Sequence, residues 1–281
     1  MFDIILVGIV LLALYRKISF IISKRKNFEK IPILKGANSF FIKKGKVGVL
    51  FIHGFTSTPQ EFGKFGSYLS KKNITIYCPL LKGHGTSPEH MSTTNWKDWC
   101  NDAEKALIEL KKSCNKVYVI GNSMGGNIAM ILSSKHSLDG IVLLGTPMFF
   151  KRHRLLRTLL QLYARLQRYQ KKMYPKNIDK KIFQGKVHYD RIPLNNTFDL
   201  FKIIKESKKI LPEITCPTLI MQSSSDYIIK QDNAQFIYNN IKSKIKDIVF
   251  IPPSYHVFIV DRYKKKAFDE SYNFIMKTKD L

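Results

Sequence analysis

The chain has 281 residues, 44% of them hydrophobic, enough for one large domain with a sizeable core and room for an insert. With 24% charged residues it is neither a disordered chain nor a polytopic membrane protein. Lysine and arginine number 47 against 21 acidic residues, and the resulting net charge of +26 favours anionic surfaces, although richness in Lys, Ile and Asn together also fits compositional drift.

Ile4 to Tyr15 form an apolar run broken by Gly8, followed by Arg16 and Lys17. A second patch, Ile18 to Ile22, precedes Lys24, Arg25 and Lys26. The first run is shorter than the ~20 residues of a spanning helix. Its cations follow the run and no cleavage site is visible, which argues against a signal peptide. Residues 1–26 therefore read as an uncleaved membrane anchor with the body facing the cytoplasm. The alternative is a soluble cytoplasmic chain whose first helix packs on its own body.

From residue 30, short β-branched runs alternate with longer helical patterns, the signature of a sheet built from βαβ units. Strands are predicted at Phe40–Lys43, Val47–Ile52, Ile74–Cys78, Val117–Ile120, Ile141–Leu144, Thr218–Gln222 and Ile248–Ile251. A helix should begin at Pro59, where Thr58 and Glu61 have capping-box spacing. Others are predicted at Trp96–Lys112, Met124–Ser134, Asn233–Asn240 and Lys264–Met276. Residues 148–208 break the rhythm. They are basic and helical in pattern, with Leu155, Leu156, Leu159, Leu160, Tyr163 and Leu166 forming an apolar stripe. They read as a helical lid inserted between two halves of the body, 27–147 and 209–281.

Cys78, Cys100, Cys114 and Cys216 lack C-x-x-C spacing and have no histidine cluster beside them, so reduced thiols are expected and no metal site is predicted. No helix-turn-helix, zinc or RNP pattern supports a specific nucleic-acid partner.

The chemistry concentrates in three places. Gly121-Asn122-Ser123-Met124-Gly125-Gly126 is a G-x-S-x-G sequence between a predicted strand and a predicted helix. Such a turn lifts the serine hydroxyl clear of the sheet, and only glycine fits beside it. His53-Gly54-Phe55 follows the strand Val47–Ile52. The backbone N–H groups of Phe55 and Met124 are thereby candidates for an oxyanion hole, with His53 holding the turn. The base should be a late histidine, and His256 is the only late one, in a loop after Ile248–Ile251. Asp226, after the strand Thr218–Gln222, is the candidate acid; Asp232 and Asp261 are its weaker competitors. His84, between two glycines, reads first as holding a turn and is also a candidate substrate contact.

These residues resemble the α/β-hydrolase carboxylesterases and monoacylglycerol lipases, with the bacterial thermostable carboxylesterase branch most similar. The resemblance runs from about Val47 to Met276. It rests on His53-Gly54-Phe55, Lys82-Gly83-His84-Gly85, Trp96 with Asp98 and Trp99, Gly121 to Gly126, Asp226, and Ser254-Tyr255-His256-Val257. It implies an α/β-hydrolase fold: a mostly parallel eight-stranded sheet, flanking helices and a lid after the sixth strand. It also implies hydrolysis of short- to medium-chain esters or monoacylglycerols without a cofactor. Three features depart from the pattern. Tyr255 stands where relatives usually have Gly, Asn122 where they have Leu or His, and the insert is longer and more basic.

The expected reaction is a two-step acyl transfer on acyl esters, monoacylglycerols or lysophospholipids, with the basic insert facing anionic headgroups. Leu159 would line the acyl tunnel and Tyr255 would narrow the acyl pocket. An acyltransferase or thioesterase using the same three residues is the alternative; a binding scaffold fits less well, because Ser, Asp and His are all present.

Overall fold

The computed structural model describes residues 15, 31–151, 167–172 and 186–280. Nine strands occur among them: β1 (Phe40–Ile42), β2 (Val47–Ile52), β3 (Thr75–Cys78), β4 (Lys116–Asn122), β5 (Gly140–Leu144), β6 (Tyr169–Lys171), β7 (Arg191–Pro193), β8 (Thr218–Ser223) and β9 (Lys246–Ile251). Seven of them form one sheet in the order β1-β3-β2-β4-β5-β8-β9. Every neighbouring pair is parallel except β1 with β3. The sheet thus has seven strands among the described residues, where eight were expected. Residues 31–39 run as irregular chain and turn instead of adding an edge strand. Leu34 N–H donates to Gly85 O at 2.8 Å and Ala37 is fully buried, so this segment is held against the turn after β3.

The central strands are apolar on both sides because helices cover both faces. On one face lie α3 (Trp96–Lys111), α4 (Met124–Lys135) and α5 (Leu194–Lys209), over a core that includes Trp99, Leu107, Ile128 and Ile203. The other face carries α1 (Gly63–Ser70) and α7 (Lys264–Thr278), packed over Phe51, Phe62, Phe65 and Phe268. The Phe65 and Phe268 rings stack at 4.2 Å. A short turn α2 (Pro88–Met91) and a helix α6 (Asn233–Asn240) complete the body.

Cap chemistry explains one agreement and one difference. The helix α3 is closed by a capping box: Asn95 Oδ1 accepts Lys97 N–H at 2.9 Å and Asp98 accepts Asn95 N–H at 2.9 Å. The box expected at Thr58 and Glu61 does not form. Residues Pro59–Phe62 make a 3₁₀ turn, Thr58 Oγ1 donates to Val187 O at 2.9 Å, and Glu61 turns inward.

The predicted insert is described only in part, and its leucine stripe, Leu159 included, lies outside the described residues. What is seen is not all helix. The strands β6 and β7 pair antiparallel as a separate ribbon. The helix α5 packs on α4, with Ile203 and Ile204 buried and Asn127 Nδ2 donating to Ser207 Oγ at 2.8 Å. Its buried face, up to Ser207 near the predicted boundary at residue 208, therefore packs into the body's own core. All four cysteines are free thiols. Among the described residues no helix is long and apolar enough to cross a membrane. The expected anchor falls on residues 1–26, of which only Tyr15 is described.

Candidate active site

Three segments converge at the C-terminal ends of the parallel strands, where open α/β sheets place their sites. The first is the turn from β4 into α4. Ser123 sits there with φ +53° and ψ −118°, a region that L-residues rarely occupy. Its N–H is tied to Leu144 O at 2.7 Å. The glycines beside it leave no space for a side chain: a Cβ on Gly121 would lie 2.2 Å from Gly125 O, and one on Gly126 1.9 Å from Thr146 Oγ1. The turn is thus over-determined by its neighbours, which is how a strained φ persists.

The second segment follows β8 and carries Asp226, which is fully buried. Its Oδ1 accepts the N–H groups of Ile228 and Ile229 at 2.8 and 3.1 Å, and its Oδ2 accepts from His256 Nδ1 at 2.7 Å. Burial works to raise the Asp226 pKa. The His256 charge and hydrogen bond, with the two N–H groups, outweigh it and hold the carboxyl below its usual value. Asp226 is therefore an anion that fixes the imidazole with its proton on Nδ1.

The third segment is the loop after β9. Ser223 Oγ and Ser225 Oγ accept Ser254 N–H at 3.1 and 3.0 Å, and Ser254 Oγ donates to Asp261. Asp261 also accepts Tyr263 N–H at 2.8 Å. These bonds present the next turn, where His256 Nε2 lies 2.9 Å from Ser123 Oγ. Of the three candidate acids, Asp226 alone meets the imidazole. Asp261 holds the loop, and Asp232 stands at the start of α6 without a side-chain cap bond.

Met124 is the first residue of α4, so its N–H has no partner within the helix. No hydrogen bond to the N–H of Met124 or Phe55 is found among the described residues. Beside Phe55, Gly54 N–H is taken by Glu61 and Thr56 adopts φ +59°. His53 is buried, and burial lowers its pKa to about 4. Its Nδ1 donates to Gly54 O at 3.0 Å while Nε2 accepts Leu81 N–H at 3.2 Å, so it ties two loops together as a neutral ring.

Ser123 and His256 border a cavity that neither His84 nor Tyr255 lines. His84 is 1% exposed and its ring packs 4.9 Å from His53 and 5.5 Å from Trp99. Burial drives its pKa well below the usual value. It holds the turn that Tyr189 also clamps, Tyr189 Oη donating to Gly83 O at 2.6 Å. Tyr255 is half-buried and its N–H donates to Asp261.

The residue that sequence reasoning missed is Glu61. Its carboxylate accepts from Gly54 N–H at 2.8 Å, Ser57 Oγ at 2.5 Å and Asn122 Nδ2 at 3.1 Å. Burial pushes its pKa up, while the bonds from Ser57, Gly54 and Asn122 favour the charged form. This accounts for the unusual Asn122: it is the third donor to a buried acid that joins the Phe55 loop to the Ser123 turn. Glu61→Ala should leave two buried donors without an acceptor and cost about 1–3 kcal/mol, read as a lower urea midpoint with unchanged slope.

Ser123 and His256 open into a cavity of about 870 Å³, the size of a drug-like or lipid ligand site. Phe150, Ile192, Leu200, Phe201, Ile228 and Val257 supply apolar wall, and Lys151, Lys171, Lys172 and Lys186 also line it.

A family model described as serine aminopeptidase, S33, matches residues 43–263. The chain is 32% identical over 252 residues to a thermostable monoacylglycerol lipase of Bacillus sp. (strain H-257), spanning 89% of this chain and 98% of that one. It is 26% identical over 239 residues to a carboxylesterase of Bacillus subtilis (strain 168), spanning 85% and 96%. It superposes with a TM-score of 0.80 on a solved chain from a pair of metagenome-derived lipolytic enzymes, LipS and LipT, at 27% identity and 88% and 100% coverage. A monoacylglycerol lipase of Paleococcus ferrophilus, 18% identical, shares the fold at a TM-score of 0.71 over 83% of this chain and 95% of that one.

Proposed function

Because the chain belongs to the serine aminopeptidase S33 family, and is a serine hydrolase like its carboxylesterase and monoacylglycerol lipase relatives, we propose that it cleaves carboxylic esters of single acyl chains by way of an acyl-enzyme on Ser123. The observation that carries this is the line of contacts from Ser123 Oγ through His256 to Asp226, at 2.9 and 2.7 Å, opening into a large, mainly apolar cavity.

In the proposed cycle His256 Nε2 takes the Ser123 proton as Oγ attacks the ester carbonyl. The N–H groups of Phe55 and Met124 stabilise the oxyanion; a single such donor contributes about 2.7–4 kcal/mol in a comparable site. The tetrahedral species expels the alcohol, which leaves with the proton from His256. Water then gives its proton to His256 and attacks the acyl-enzyme, and the carboxylic acid departs as Ser123 is restored.

A monoacylglycerol or a simple alkyl ester suits the cavity better than a peptide. An aminopeptidase must hold a substrate ammonium, and the lining among the described residues offers four lysines and one carboxylate, Glu61, which already accepts three hydrogen bonds. The test is hydrolysis of a p-nitrophenyl ester series and of monolauroylglycerol, beside an aminoacyl p-nitroanilide. Ester turnover with an inert anilide supports the reading; anilide turnover with inert esters contradicts it. Asp226→Asn should lower kcat by roughly 10⁴-fold with little change in KM, because the amide can donate to Nδ1 and leave the proton on the wrong nitrogen.

A further inference from the structure

We propose that Glu61 is a positioning residue for the reaction: its buried carboxylate sets the Phe55 N–H against the Met124 N–H, so that both meet the oxyanion together. The inference rests on the reading of Ser123 as nucleophile and adds what holds its oxyanion hole in place.

The two candidate donors come from different parts of the chain. Phe55 follows β2 and Met124 follows β4. Those strands pair side by side as far as Ile52 and Gly121, where their ladder ends. The two loops beyond it need another tie, and Glu61 supplies one from the 3₁₀ turn Pro59–Phe62. On the β2 side its Oε1 accepts Gly54 N–H at 2.8 Å. On the β4 side the same oxygen accepts from Asn122 Nδ2 at 3.1 Å, one residue before the nucleophile. A single oxygen atom thus links the two loops that carry the donors.

The link reaches the Phe55 N–H through the peptide planes on either side of Gly54. Glu61 holds the plane before Gly54 directly, through the Gly54 N–H. The plane after it contains both Gly54 O and the Phe55 N–H, so fixing the oxygen aims the N–H. That oxygen accepts from Ser57 N–H at 3.1 Å and from His53 Nδ1 at 3.0 Å. Ser57 is held by Glu61 in turn, its Oγ donating to Oε2 at 2.5 Å. Both carboxylate oxygens are therefore occupied, and Glu61 acts on the reacting atoms through Gly54, Ser57 and Asn122 without touching them. Oxyanion donors contribute where charge develops in the transition state, so loosening them costs rate more than substrate binding. A misplacement of about 1 Å in an active site can cost roughly a hundredfold.

The test uses the full chain, with active sites counted by fluorophosphonate titration run to completion so that unfolded protein does not enter the rate. Glu61→Ala should lower kcat on p-nitrophenyl laurate by roughly 10- to 100-fold and change KM by less than about threefold. Glu61→Gln should recover most of that loss, since the amide oxygen still accepts from Gly54 and Asn122 while its NH₂ donates to Ser57 Oγ. Two inhibitors separate positioning from a merely structural role. A dodecyl trifluoromethyl ketone, whose adduct with Ser123 places an oxyanion in the hole, should lose affinity in Glu61→Ala by about the same factor as kcat/KM. The ether 1-O-dodecylglycerol, which has no carbonyl, should keep its affinity. Asn122→Leu cuts the β4 side of the link alone; it should show a smaller loss of the same kind, and it serves if Glu61→Ala does not fold. A kcat per titrated site within about twofold of wild type in every variant that folds, or equal loss of affinity for ketone and ether, overturns the inference alone. A wild-type chain that hydrolyses no ester and is inert to the fluorophosphonate defeats the esterase reading beneath it.

Discussion

Ser123→Ala lowers ester hydrolysis by roughly a millionfold in kcat and leaves the fold as stable as before. The size of the effect follows from what is lost: the Oγ that forms the acyl bond, and with it the use of His256 as its base. The small cost in stability follows from the contacts. Ser123 Oγ bonds only His256 Nε2 among the described residues, and that bond reaches into an open cavity. The positive φ of residue 123 is set by Gly121, Gly125 and Gly126 rather than by the hydroxyl, so alanine inherits it. A variant that loses activity and keeps its urea midpoint fits this account. Equal loss of both would make Ser123 a structural residue.

The second large effect is on folding. Gly125→Ala should destabilise the protein by about 3 kcal/mol or more and leave little soluble enzyme. A Cβ at this position would lie 2.0 Å from Ile52 O and 2.7 Å from its carbonyl carbon, backbone atoms at the end of β2. A flexible side chain could swing away; a central strand cannot. Moving it shifts the His53-Gly54-Phe55 turn, so any Gly125→Ala enzyme that survives should show a larger fall in kcat than in 1/KM. Chemical denaturation beside steady-state kinetics reads both. By contrast, a Cβ on Gly63 meets no atom within 4 Å, so Gly63→Ala is the matched control that should fold normally.

Much of this site is legible in the sequence because its parts are local. The run Val117–Ile120, the glycines around Ser123 and the helix that follows specify a strand-turn-helix from adjacent residues alone. The order Ser123, Asp226, His256 can be read because each follows a β-branched run, and the structure brings the three side chains together. The acid Glu61 could not be read this way. Three residues after Thr58 and behind Pro59, it has the spacing of a capping partner, and its real targets, Gly54 and Asn122, are set by the tertiary fold. The signal that could have found it is Asn122, a polar residue in a position that must be buried and therefore needs a partner.

Two further differences have similar causes. The helix α5 is hard to assign to the core because its buried face includes Asn196, Asp199 and Ser207. Two of those polar groups meet distant partners: Asn196 Nδ2 donates to Thr94 O at 2.8 Å, and Ser207 Oγ accepts from Asn127 Nδ2 at 2.8 Å. The β6–β7 ribbon has three residues per strand, too few for alternation to register. Of the two readings of His84, holding a turn is the one that fits its place in the structure, since it is buried and does not line the cavity. Its burial depends on Trp99 and His53, which only the folded chain brings beside it.

The measurement that tests the central claim most directly is the intact mass of the full chain after incubation with a fluorophosphonate, followed by peptide mapping. The account predicts one adduct, on Ser123, absent from Ser123→Ala and strongly slowed in His256→Ala. No adduct, or one on a different residue, would contradict the assignment of Ser123 as the nucleophile of an ester hydrolase.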